Sequence, residues 1–194
     1  NGNYAIATAL LVDFEVVCSV VAWPRHKSEL TGIPLEGPLL FVSAKNHGSY
    51  AADLKGNYFQ IKKKENPRNR LLYSLNTPKK LQDTFEYIKE KVGITEESQD
   101  SSMTKAFTIA AGAGNTYLRL KYSGDEHVWD IAPFDLFLRE AGCYTSTIDG
   151  KPLGYSNKGK VINSASGLIF TSKDEAFQQK TVEAFREAYD KFYK

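Results

Sequence analysis

The chain has 194 residues, a mass of 21.7 kDa and 42% hydrophobic residues, enough for one large domain or two small ones. Lys and Arg total 25 against 23 Asp and Glu, so the net charge of +2 leaves no footprint for nucleic acid or a membrane surface. Apolar runs such as residues 5–12 are too short to span a bilayer, and two cysteines make no disulfide framework, which points to a reducing, cytoplasmic setting.

Residues 4–12 and 14–23 are apolar, β-branched runs that meet at Asp13 and predict a hairpin. Residues 24–38, punctuated by Pro24, Gly32, Pro34, Gly37 and Pro38, predict a loop. Residues 39–44 and 49–52 predict an antiparallel pair around His47-Gly48. Residues 57–61 predict a weaker strand, and the basic stretch 62–70 a solvated loop. A short strand follows at 71–75. Thr77 and Pro78 fit an N-cap and first helical residue, Leu81, Phe85, Ile88 and Val92 share one helical face, and Gly93 ends it. Residues 94–100 are an acidic connector. Residues 102–113 predict a second helix and 116–120 a strand. A third helix starts near Asp130, with Pro133 in its first turn, and runs to Gly142. Strands are expected at 144–148, 160–163 and 168–170. Ser172 then caps a last helix with a buried stripe of Val182, Phe185, Tyr189 and Phe192. The order predicts an antiparallel-sheet domain over residues 1–70 and an α/β domain over 71–194.

Trp129-Asp130-Ile131-Ala132-Pro133, Glu140-Ala141-Gly142 and Asp149-Gly150-Lys151-Pro152-Leu153 follow one another. This series resembles the W-D-x-A-A/P, E-A-G-G and D-G-x-P-L signature of the inositol monophosphatase superfamily. Residues 43–50 are similar to its A-x-x-G-x-G-A/S-F/Y segment, with Asn46 in place of the first Gly. Asn163-Ser164-Ala165 is similar to a late strand end. Ser102-Met103-Thr104-Lys105 and Tyr117-Leu118-Arg119-Leu120 resemble the S-x-x-K and Y-L-R-L of the 3'(2'),5'-bisphosphate nucleotidase branch.

The resemblance implies an α/β layered sugar-phosphatase fold and a lithium-sensitive phosphomonoesterase that uses Mg²⁺. In the nucleotidase branch it would release the 3'-phosphate of adenosine 3',5'-bisphosphate, a step of sulfur assimilation; an inositol phosphate substrate stays open. It also implies that Asp130 ligates metal at the reacting site, and that Ser102, Lys105 and Arg119 hold the nucleotide. The chemistry suits these roles. Ser102 and Lys105, three apart, share a helix face near an N-terminus. Arg119 offers a planar fork for phosphate, and Asp130 a hard oxygen for Mg²⁺. Plainer roles compete: an N-cap for Asp130, a solvated lysine for Lys105, and a surface pair with Asp125 for Arg119. Trp129 is expected in the core, His47 and His127 are expected to be non-catalytic, and Cys143 is read as a packing variation.

The superfamily's D-P-I/L-D-G-T/S metal motif and an earlier glutamate are absent from these residues. Asp130 alone cannot hold a magnesium pair. A further N-terminal segment or a companion chain is therefore expected; a non-catalytic subunit or degenerate relative is the other possibility.

Overall fold

The computed structural model describes residues 4–75, 81–100, 103–120, 126–164 and 167–193. The first hairpin pairs β1 (Ile6–Val12) with β2 (Glu15–Trp23) through Asp13 and Phe14. Both turn residues have positive φ, +49° and +64°, as a tight hairpin of right-handed strands demands. β3 (Leu39–Ala44), β4 (Gly48–Asp53) and β5 (Tyr58–Ile61) extend this to a five-stranded antiparallel sheet in chain order. Inside the expected 24–38 loop lies one short helix, α1 (Ser28–Thr31), ended by Gly32 in the left-handed region.

The second sheet is mixed, in the order β7-β6-β8-β12-β9, comprising β6 (Arg70–Ser74), β7 (Glu96–Asp100), β8 (Thr116–Leu120), β9 (Tyr144–Thr147) and β12 (Gly167–Thr171). Parallel pairing joins β6 to β7 and β8; β12 runs antiparallel to β8 and β9. A two-stranded ribbon, β10 (Gly154–Tyr155) with β11 (Val161–Ile162), stands apart, so the expected 160–163 strand is only half of a small ribbon. Four longer helices complete the order: α2 (Gln82–Val92), α3 (Lys105–Ala110), α4 (Val128–Glu140) and α5 (Glu175–Tyr193).

Packing follows the apolar patterns. Leu81, Phe85, Ile88 and Val92 are all buried, beside Val182 and Phe185 of α5, against Leu71, Tyr73, Leu118 and Ile169 of the second sheet. The other face of that sheet meets α3 and α4, which also carry the first sheet. Trp23, Phe41, Phe107, Phe137 and Phe170 share this inner core, with Phe41 stacked on Phe107 at 3.8 Å. Residues 131–138 of α4 are buried on every side, as a helix between two sheets must be. The layers therefore run sheet, helices, sheet, helices.

On the outer face of the first sheet, three cross-strand rows lie open. They are Ile6-Ala22-Leu40-Ala52-Tyr58, Thr8-Val20-Val42-Tyr50-Gln60 and Leu10-Cys18-Ala44. None of these residues is charged. Ile6 is 65% and Tyr58 75% exposed.

Several expectations need correction. The acidic connector 94–100 contains β7, an edge strand whose charged outward residues suit an edge; Glu96 meets Arg68 and Arg70 at 2.7 and 3.0 Å. In the 62–70 loop Pro67 is buried and Lys63 bonds the carbonyl of Lys173, so the loop is not simply solvated. Ser172 does not cap α5; its hydroxyl donates to the Gly114 carbonyl, and Asp174 accepts the Phe177 amide at 2.7 Å instead. Phe192 is 38% exposed, the stripe being completed by Ala184 and Ala188. Helix α4 begins at Val128, which moves Pro133 into its second turn. The Thr77-Pro78 cap lies outside the described residues.

Candidate active site

Lys105, Arg119 and Asp130 come from three separate elements and line one cavity of about 480 Å³. Ser74 at the end of β6 and Arg119 near the end of β8 put it beyond the carboxyl ends of parallel strands, where α/β sheets leave room for ligands. Tyr4, Ala5 and Ala7 bring the start of the first sheet to the same wall. Ser102 lies outside the described residues.

Lys105 opens α3 and is buried, not solvated. Its ammonium donates to the Asp100 carbonyl at 3.0 Å and sits 5.1 Å from the Tyr117 ring centroid. Burial pulls its pKa down to about 8; Asp100 opposes the pull and Arg119 adds to it. The helix it opens has six residues rather than spanning 102–113.

The partner of Arg119 is Glu126, whose side chain is 1% exposed. Arg119 Nη2 donates to Glu126 Oε2 at 2.9 Å, and Nε lies 2.9 Å from Oε1 without hydrogen-bond alignment. The surface partner considered from the sequence, Asp125, lies outside the described residues. Burial alone would lower the Arg119 pKa, but the Glu126 and Tyr117 contacts outweigh it and raise it, so the guanidinium is permanently charged. Glu126 was not legible as a site residue; its one signal is its place between Arg119 and Asp130.

Asp130 is the third residue of α4, half-buried, with its amide bonded to the His127 carbonyl. It is not an N-cap; that position is His127. Trp129, expected in the core, is 61% exposed because its side chain turns toward the cavity and stacks on His127, ring centroids 4.3 Å apart. An adjoining groove of about 590 Å³ shares Trp129 and Ala7.

Two other motif residues are structural. Glu140 accepts the amides of Asn46 and Gly48, both at 2.9 Å, and so clamps the β3–β4 turn. Asn46 takes φ +64°, a conformation that Asn tolerates in place of the Gly expected there. At the α4 end the positive φ falls on Gly142, so Cys143 is unstrained; burial pushes its thiol up to about 12, far from nucleophilic.

The donors among the described residues do not by themselves complete a magnesium site. Among the described residues no group of three or more His, Cys, Asp or Glu could hold a metal ion, and Asp130 is the one carboxylate lining the cavity. Nor is any helix among the described residues long and apolar enough to cross a membrane.

A sequence profile of the Inositol monophosphatase family matches residues 1–189. The chain is 29% identical to the probable 3'(2'),5'-bisphosphate nucleotidase 4 of Arabidopsis thaliana, over 97% of this chain and 54% of that protein. It is 30% identical to 3',5'-bisphosphate nucleotidase 2 of the same plant, over 88% and 52%. The chain thus spans about half the length of the curated relatives it matches. Among solved structures, CysQ from Bacteroides thetaiotaomicron, a bacterial member of the inositol monophosphatase family, superposes with a TM-score of 0.65 at 17% identity, over 88% of this chain and 63% of that one. The extragenic suppressor protein SuhB from Bartonella henselae gives 0.63 at 16%, over 94% and 61%.

Proposed function

This chain belongs to the inositol monophosphatase family, and on that premise we propose that it serves a 3'(2'),5'-bisphosphate nucleotidase that converts adenosine 3',5'-bisphosphate to AMP and phosphate. One observation carries the reading: Lys105, Arg119 and Asp130, from α3, β8 and α4, line one cavity. Two cations and one carboxylate suit a phosphate ester held beside a reacting centre. The nucleotidases among its relatives support the choice of nucleotide over inositol phosphate.

In the proposed reaction a water oxygen bonds to phosphorus as the P–O3' bond breaks. The electron pair stays on O3', which takes up a proton. Arg119 and Lys105, with Ser102, hold phosphate and sugar; Asp130 faces the reacting phosphate. The proposal includes Mg²⁺, which would polarise the phosphoryl oxygens. Since the donors described here do not complete its site, a further segment or companion chain supplies the remaining carboxylates. Two free cysteines support a cytoplasmic setting.

The test is calorimetric titration of the chain with adenosine 3',5'-bisphosphate and with inositol 1-phosphate, followed by phosphate release in Mg²⁺ once the donors are supplied. The nucleotide is expected to bind at least about tenfold tighter, a preference of roughly 1.4 kcal/mol. Equal or reversed affinities would refute the nucleotide reading.

A further inference from the structure

We propose that Glu126 is a positioning residue that fixes the Arg119 guanidinium so that its outer edge faces the phosphate of the ligand. This rests on the phosphate-binding role proposed for the cavity.

The geometry of the pair is side-on. Nη2 donates to Glu126 Oε2 at 2.9 Å, and Nε lies 2.9 Å from Oε1 without hydrogen-bond alignment. A guanidinium has five N–H donors in a rigid fork, so the Nη1–Nη2 edge keeps donors of its own. At that edge Nη1 reaches the Met103 sulfur at 3.4 Å, a soft contact, and the Tyr117 phenol contacts the guanidinium. Arg119 and Met103 both line the cavity, and Glu126 does not. Glu126 therefore acts behind the arginine.

The backbone of Glu126 is itself clamped. Its amide donates to Ser164 Oγ at 2.6 Å, and its carbonyl accepts the Val161 amide at 2.8 Å. Ser164 Oγ in turn donates to the Val161 carbonyl at 2.8 Å. The chain passes from this clamp through His127 into α4 and reaches Asp130 four residues later. One clamped segment thus sets both the orientation of the guanidinium and the start of the helix that carries the carboxylate.

The neutralising charge has a further effect. An Arg119 paired to a buried carboxylate recognises phosphate through directed N–H groups more than through net charge. Its contribution then depends on orientation, which a long side chain keeps only if something holds it.

The experiment is a double-mutant cycle on the full chain, titrated calorimetrically with adenosine 3',5'-bisphosphate. E126A is expected to weaken binding about tenfold, and R119A at least as much. The R119A/E126A pair should bind no more weakly than R119A alone, because Glu126 has nothing left to position. E126Q keeps the volume and an acceptor, and should lose about threefold with its fold intact. Additive losses, or unchanged affinity in folded E126A and E126Q, would overturn the proposal. A ligand-free readout is the Arg119 Nη2–H resonance by NMR, expected to be sharp and exchange-protected in the unaltered chain, where Nη2 donates to Glu126, and broadened in E126Q. Failure of the unaltered chain to bind the nucleotide would sink the function reading alone; persistence of the sharp resonance in E126Q would sink the positioning role.

Discussion

Replacing Lys105 by methionine should stabilise the unliganded chain while impairing its phosphate binding. Lys105 is 1% exposed, and burial holds its pKa at about 8 against an ordinary 10.5. Keeping the charge at pH 7 therefore costs the fold roughly 3 kcal/mol. Methionine has similar length and no charge, but it forfeits the hydrogen bond to the Asp100 carbonyl, about 1 kcal/mol. A net gain of about 2 kcal/mol remains, which raises Tm by about 4–8 °C in a chain of this size. The pH dependence has a definite sign. Below pH 8 folded and unfolded chains both carry the proton, and the full cost is present. Between pH 8 and 10.5 the folded wild type sheds it while the unfolded chain keeps it, so the wild type gains on the variant. Urea denaturation at pH 7 and pH 10 measures both effects, and phosphate titration at pH 7 should show at least about tenfold weaker binding in K105M. A variant less stable than wild type at pH 7, or a gap that ignores pH, would refute the reasoning.

Asp130→Asn removes the one carboxylate that lines the cavity among the described residues and should tighten phosphate binding about fivefold in metal-free buffer, roughly 1 kcal/mol of relieved repulsion, while abolishing magnesium-dependent phosphate release in the assembled enzyme; calorimetry and a phosphate assay read the two arms. Glu140→Ala strips both amides of the β3–β4 turn of their acceptor and should cost about 2 kcal/mol in urea denaturation. His26 is 3% exposed, and burial depresses its pKa, with Glu36 opposing. The unfolded chain thus takes up a proton first, and stability should fall as pH drops below about 6.5, a slope that His26→Gln should flatten.

Both sheets were largely legible because their strands carry β-branched apolar runs broken by turn residues. Helix α2 was legible from Leu81, Phe85, Ile88 and Val92, which are all buried. β7 was not, because Glu96–Asp100 has no apolar pattern of its own; it forms a strand by pairing with β6. Similarly, Ser172 and Asp174 are both competent caps, and only the tertiary bond of Ser172 to Gly114 decides between them. At the site, Lys105, Arg119 and Asp130 were named from motifs, but their meeting in one cavity depends on how α3, β8 and α4 pack. Trp129 was misjudged because an aromatic beside an apolar helix reads as core, whichever way its ring turns. Glu126 stayed hidden because a carboxylate between Arg119 and Asp130 looks like any surface acid until its 1% exposure is known.

The uncharged rows on the outer face of the first sheet carry a built-in chemical reporter. Cys18 stands in the third row, beside Leu10 and Ala44, and is half-buried. Cys143, buried with its thiol near 12, stays silent toward alkylating reagents at neutral pH. A single labelling event per chain therefore reads the solvent access of that face alone. Its rate would slow wherever another polypeptide lies across the sheet, and would track such coverage without any assay of catalysis.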